Sequence, residues 1–267
     1  MEHTATSSAN GWNDAALTAR ARDIRKRIAA AARRADRSPA SVTLVAVTKT
    51  VPIERMLAAA ALGLTRFGEN RVQEARDKRA RLAALAQDDP GVSWLLAQTH
   101  WELIGHLQTN KVTQALEIFD RVQSVDSVRL AETLSARAAT RDRALPVLLE
   151  VNSGGEASKS GFAPGEIESA ARAIAALPAL RIEGLMTVAP IVPTPEQARP
   201  FFRYLRELRD HLRAAIPLGE KGWRELSMGM SDDFEVAIEE GATIVRIGRG
   251  LFGERPAPQK AEEPSLT

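Results

Sequence analysis

The sequence predicts a single (β/α)8 barrel, a TIM barrel, preceded by one additional helix. Eight short, apolar, β-branched runs alternate with amphipathic stretches between positions 42 and 247. The chain has 267 residues, and a barrel of this type takes about 250. The competing layout is a doubly wound open sheet, but no Gly-rich dinucleotide fingerprint follows the first strand.

The elements follow in order. Over 14–36, Leu17, Ala21, Ile24 and Ile28 form one apolar stripe among arginines, a helix with one buried face that Ser38-Pro39 ends. Positions 42–47 are the first strand, running into Thr48-Lys49. Pro52 opens a helix to 62, where its missing N–H costs nothing, and Gly63 stops it. Strand two covers 65–70 and a helix 71–86, followed by a turn at 88–91. Strand three is 101–105, with a helix over 108–116. Strand four is 120–125, and Asp126-Ser127 caps a helix over 128–140. Strand five is 145–152, then a polar loop to 161 that contains the flexible pair Gly154-Gly155, and a helix over 164–177. Strand six is 181–188, a Pro-rich loop leads to a long helix over 195–215, and strand seven is 225–228. Asp232-Asp233 caps a helix to 240, and strand eight is 242–247. The last unit is truncated, so the leading helix is expected to replace its missing partner. Positions 1–13 and 254–267 are expected to be disordered, leaving 14–253 as the barrel.

Composition narrows the function classes. Hydrophobic residues make up 44% and charged residues 26%, an ordinary globular balance. A net charge of +2 gives no field for nucleic acid. With no cysteine, disulfides, thiolate nucleophiles and thiolate metal sites are excluded. The first thirteen residues lack the apolar core of a signal peptide. No run of about 18 apolar residues could span a membrane. A cytoplasmic monomer without membrane or nucleic-acid partners is expected.

A barrel carries its site at the C-terminal strand ends. These ends hold Lys49, Asn70, Gln108, Asn110, Asp126, Asn152, Met186, 227–229 and 248–250. Strand alternation puts Lys49 on the face of Val45 and Val47. It is either a solvated strand end or an amine whose partly desolvated position lets it form a Schiff base with an aldehyde. Arg246, among β-branched residues, is either an internal salt bridge to Glu150 or Glu183 or a fixed donor aimed at a ligand. Ser227-Met228-Gly229-Met230 and Gly248-Arg249-Gly250 end neighbouring strands and suit a phosphate cup. An amine, a phosphate cup and a ring-facing cation together suit pyridoxal phosphate.

Several segments then coincide with one family. They are Ala46-Val47-Thr48-Lys49-Thr50, Phe67-Gly68-Glu69-Asn70-Arg71-Val72-Gln73-Glu74, Ile104-Gly105-His106-Leu107-Gln108-Thr109-Asn110-Lys111, Ser158-Lys159-Ser160-Gly161, Gly184-Leu185-Met186, Leu226-Ser227-Met228-Gly229-Met230-Ser231-Asp232-Asp233, Val245-Arg246-Ile247-Gly248 and Leu251-Phe252-Gly253. The chain resembles the pyridoxal phosphate homeostasis proteins of the YggS/PROSC family. These are fold-type-III-like barrels related to the N-terminal domain of alanine racemase, without its C-terminal β domain. The resemblance implies that Lys49 is the Schiff-base lysine and that Asn70 lies near the cofactor ring. It implies that Ser227, Gly248 and Arg249 form the phosphate cup and that Arg246 faces the pyridine nitrogen. Arg249 stands where Thr or Ser is usual, and it either replaces that hydroxyl with a charge-assisted contact or points away and leaves backbone N–H groups to hold the phosphate. Glu102 stands where a histidine commonly follows the tryptophan and is assigned no role.

The implied function is intracellular: holding pyridoxal 5'-phosphate on Lys49 and passing it on, with apo-enzymes as recipients, without turnover, catalytic residues or metal. The alternatives are a weak amino-acid racemase and a phosphate-binding barrel that forms no Schiff base. Arginine does not give up its proton, and the sole tyrosine, Tyr204, reads as a packing residue in a long helix. No second domain is expected after Gly253. Lys159 is a solvated loop lysine or a transfer amine. His100, Glu102 and His106 lack metal-ligand spacing.

Overall fold

The computed structural model describes residue 12 and residues 14–140, 144–156 and 160–254. Lys159 and most of the two expected disordered termini lie outside the described residues. Trp12, within the first of these termini, is half-buried against the core.

Eight parallel strands close on themselves in sequence order. They are β1 (Thr43–Val47), β2 (Arg66–Glu69), β3 (His100–Leu103), β4 (Arg121–Val125), β5 (Leu145–Glu150), β6 (Leu180–Met186), β7 (Glu225–Ser227) and β8 (Ile244–Ile247). β1 pairs with both β2 and β8, so the sheet has no edge and the open layout is ruled out. The helices are α1 (Ala15–Arg34), α2 (Ile53–Ala61), α3 (Val72–Asp88), α4 (Pro90–Ala97), α5 (Val112–Ile118), α6 (Val128–Ala138), α7 (Ile167–Ala175), α8 (Arg199–Ala215), α9 (Phe234–Glu239) and α10 (Arg249–Phe252).

α1 starts where Asp14 accepts the Leu17 N–H at 2.8 Å. Its stripe of Leu17, Ala21, Ile24 and Ile28 is buried, and the helix packs against α9 and α10. Arg20 donates to the Leu251 carbonyl at 2.8 Å. Arg55 of α2 bonds both Asp14 at 2.9 Å and the Phe252 carbonyl at 2.8 Å. The leading helix thus fills the place that the truncated last unit leaves open.

The expected turn at 88–91 is instead the joint between α3 and α4. Asp89 accepts the Gly91 and Val92 N–H groups and Pro90 opens α4. Asp-Pro-Gly serves a turn and an N-cap equally well, because both need an Asp acceptor and a fixed φ. The helix expected from 108 opens with a 3-10 turn, Thr109–Lys111, and that from 195 with Pro195–Ala198.

The core has two parts. A large apolar layer lies between the strands and the helical ring. A small one, Val45, Leu148, Met186 and Ile244, fills the barrel itself. The interior is otherwise polar: Glu102, Gln123, Ser227 and Arg246 are all buried.

Candidate functional site

Lys49 follows β1 in the turn that leads to α2. The Val51 N–H bonds the Thr48 carbonyl at 2.8 Å, closing the turn around Lys49 and Thr50. Thr50 sits at φ +63, a left-handed conformation that costs a β-branched residue about 1–2 kcal/mol. β1 turns Val45 into the barrel and ends at Val47, so Lys49 stands just beyond the C-terminal end of that strand.

Asn70 leaves β2 half-buried. It shares a face with Gly68, where a Cβ would lie 2.9 Å from Val45 Cγ1 inside the barrel. Its backbone packs on Gly105, where a Cβ would lie 2.5 Å from the Asn70 carbonyl oxygen.

Arg246 is 4% exposed. Its guanidinium donates to Ser227 Oγ at 2.6 Å and to the Thr187 carbonyl at 2.7 Å. Burial lowers its pKa to about 10, against the pull of the Glu150 and Asp233 carboxylates. Among the described residues no carboxylate comes within ion-pair distance of it. Glu183 is taken by Arg121 at 2.7 Å and Arg181 at 2.6 Å. The internal salt-bridge alternative therefore does not describe this arginine.

A directed chain supports it from below. Arg66 donates to Glu102 at 2.9 Å, and the Gln123 amide N–H donates to the same carboxylate. Gln123 turns its NH2 toward that carboxylate and its oxygen toward Ser227. Ser227 then donates to Gln123 Oε1 at 2.6 Å and accepts from Arg246. Glu102, which sequence reading left without a role, sets the direction of the chain.

The phosphate-cup expectation divides. The Ser227 hydroxyl is committed inside the barrel to Gln123 and Arg246. The hydroxyl beside the loop after β8 belongs to Ser231, which accepts the Gly250 N–H at 3.1 Å. Gly229 makes this possible at φ +90, where a Cβ would come within 2.6 Å of Ala237 Cβ. At Gly248 a Cβ would lie 3.3 Å from Val47 Cβ. The Arg249 guanidinium turns outward and pairs with Asp232, and with Glu254 at 3.6 Å. Asp233 does not cap α9 with its side chain but closes its own turn, accepting the Met230 N–H at 2.6 Å.

Sequence reading also passed over Gln123 and Glu150 as site residues. Glu150 ends β5 on the face of Leu148. Burial lifts its pKa to about 7, Asp126 adds to the rise, and Arg246 and His106 oppose it. His106 Nδ1 lies 2.6 Å from Asp126 Oδ2. With Gln108 and Asn110 this pair lines a groove of about 380 Å³. His100 begins β3 at its N-terminal end, whereas His106 lies beyond its C-terminal end, so the two do not converge. Tyr204 is on α8 in the outer ring, packed against the large core.

The family model of the alanine racemase N-terminal domain matches residues 20–256. Pyridoxal phosphate homeostasis proteins are similar over most of their length. That of Aquifex aeolicus is 42% identical over 236 residues, 87% of this chain and 95% of that protein. That of Pseudomonas aeruginosa is 44% identical over 234 residues, 87% of this chain and 93% of that protein. Among solved structures, PipY of Synechococcus elongatus with PLP bound superposes with a TM-score of 0.71 at 36% identity, covering 86% of this chain and all of that one. Alanine racemase of Corynebacterium glutamicum, at 17% identity and a TM-score of 0.59, shares the barrel; the match covers 92% of this chain and 63% of that one. Fold and site thus define an alanine-racemase-type barrel. The chain belongs, within that class, to the pyridoxal phosphate homeostasis protein family.

Proposed function

We propose that this protein binds pyridoxal 5'-phosphate, holds it covalently on Lys49 in the cytoplasm, and passes it to apo-enzymes without turning over a substrate. The observation that carries this reading is that Lys49, Arg246 and the Ser231–Gly250 loop pair lie on or just beyond the neighbouring strands β1, β8 and β7 of a closed barrel. The donor set fits the cofactor. It offers an amine, a buried guanidinium and a glycine-bearing cradle in which a Cβ at 248 would press on Val47.

When bound, the cofactor supplies an aldehyde carbon for an amine and a phosphate as its handle. The protein's own groups do the rest. The Lys49 Nζ is the attachment point. Ser231 and the backbone around Gly248 and Arg249 receive the phosphate, with glycines allowing close approach. Ser227 serves as support for Arg246 rather than as a phosphate ligand. Asn70 lines the wall beside the ring. Arg246, even at about 10, stays charged at neutral pH and offers a hydrogen bond without surrendering its proton. A ring nitrogen left unprotonated is a weak electron sink, which favours carriage over catalysis. We further propose that the protein acts as a monomer; no described helix is long and apolar enough to cross a membrane.

The test is absorbance of the purified protein before and after borohydride, followed by peptide mapping. A visible band that borohydride abolishes, with the pyridoxyl group on Lys49, is the expected result. No reducible link after added pyridoxal 5'-phosphate, or a link on another lysine, would overturn the assignment of Lys49.

A further inference from the structure

Lys78, on α3, is 8% exposed, and a buried ammonium must spend its N–H groups on acceptors. Its three acceptors are Glu69 Oε1 at 2.8 Å, Glu74 Oε1 at 2.6 Å and the Thr48 carbonyl at 2.6 Å. The first also accepts the Thr48 hydroxyl at 2.7 Å, and the second the Thr50 N–H at 2.5 Å. The peptide groups immediately before and after Lys49 are therefore both tied to one ammonium, the first directly and the second through Glu74.

What they hold is a turn with a residue out of place. Thr48 and Val51 close it at 2.8 Å, and Thr50, at φ +63, occupies a position where turns of this kind prefer glycine. A β-branched residue left to itself would relax toward negative φ and rotate the peptide that follows Lys49. Burial alone would raise Glu74, but Lys78 and the Thr50 N–H outweigh it and hold its carboxyl below the usual range. Glu74 is thus an anionic acceptor at neutral pH, the form best suited to grip an N–H. Stability alone does not account for the network, because buried ion pairs are often replaced by apolar groups without loss.

We infer that Lys78 and Glu74 are positioning residues for Lys49. Together they clamp the backbone on both sides of it and aim its amine into the barrel mouth. This rests on the reading of Lys49 as the cofactor-bearing amine.

The experiment uses the full chain with Lys78→Met, which keeps length and removes the charge, and Glu74→Gln, which keeps shape and weakens the acceptor. Three quantities are read: hydrogen exchange of the Thr50 amide without ligand, the borohydride-reducible link on Lys49, and affinity for 4-deoxypyridoxine 5'-phosphate. The last has no aldehyde and reports the cup and wall alone. Lys78→Met is expected to speed Thr50 exchange and to weaken link formation by about tenfold or more, as a small misplacement of a reacting group does. Affinity for the deoxy compound should stay within about twofold, because the clamp does not touch the cup. Glu74→Gln should move the same two readouts by less. Link formation and Thr50 exchange unchanged in both variants would overturn the clamp. So would equal losses of link and deoxy-compound affinity, which mark general loosening. If Lys78→Met does not fold, Glu74→Gln decides alone. If the native protein forms no link on Lys49, the reading of Lys49 falls, while Thr50 exchange still judges the clamp.

Discussion

At the scale of single residues, position in the strand decides what each polar group can do. Ser231→Ala is expected to weaken pyridoxal 5'-phosphate binding by about tenfold, the worth of one hydrogen bond to a charged group. Arg249→Ala should change it by less than about threefold, since that guanidinium is already paired with Asp232 and half exposed. Fluorescence titration of both variants checks the pair, and a reversed order would place Arg249 in the cup. The family resemblance implied Ser227 for the cup, and in the structure that hydroxyl bonds Gln123 and Arg246. β7 stops at 227, and the left-handed Gly229 brings the second serine, Ser231, beside the Gly250 N–H.

Glu150 gives a pH prediction at the same scale. Its folded pKa is raised from 4.5 to about 7 by burial, with Asp126 adding and Arg246 and His106 opposing. Between those values the folded chain holds a proton that the unfolded chain has lost, so stability falls as pH rises through this window. The loss amounts to about 3 kcal/mol when complete. Glu150→Gln, which stays neutral throughout, should flatten that part of the stability profile and be the more stable form at pH 8. Denaturant melts from pH 5 to 8 measure it. Parallel profiles for the two proteins would mean that Glu150 ionises freely in the native state.

At the scale of elements, α1 covers the place left by the truncated last unit, packing on α9 and α10. The sequence made its buried stripe legible, because Leu17, Ala21, Ile24 and Ile28 recur at helical spacing. Leu17→Ala is expected to cost about 3 kcal/mol, as a fully buried leucine does. It should lower the urea midpoint accordingly. A cost below about 0.5 kcal/mol, typical of surface positions, would mean that α1 is an accessory and not the eighth partner. Gly184→Ala belongs to this scale too. A Cβ there would lie 1.9 Å from the Glu225 carbonyl oxygen, so β6 and β7 could not keep their register. That variant is expected to accumulate as insoluble protein. The α4 helix was not legible, because Asp89-Pro90-Gly91 announces a break and its eight residues bury only Val92 fully.

At the scale of the whole molecule, the eight-unit rhythm was readable but the interior chain was not. Glu102, Gln123, Ser227 and Arg246 lie on four different strands, and only closure of the sheet brings them together. No local spacing records such a contact. That chain bears on whether the barrel is a carrier or a racemase. A ring nitrogen that faces an arginine stays unprotonated and takes up electrons weakly, so racemisation on it would need two bases on opposite faces of the substrate. Arg246 is held by Ser227 and Thr187 as a permanent cation. Tyr204 is on the outer ring. One buried group at the C-terminal strand ends with a pKa near neutrality is Glu150, at about 7. With pyridoxal 5'-phosphate bound, the protein is therefore expected to exchange the α-hydrogen of L- or D-alanine with solvent deuterium no faster than free cofactor does. Proton NMR of the α-position in deuterated buffer reads both enantiomers directly. Exchange of both at about a hundredfold above the free cofactor, the scale of one general base, would make the barrel an enzyme. Loss of that rate in Glu150→Gln would then identify the second base.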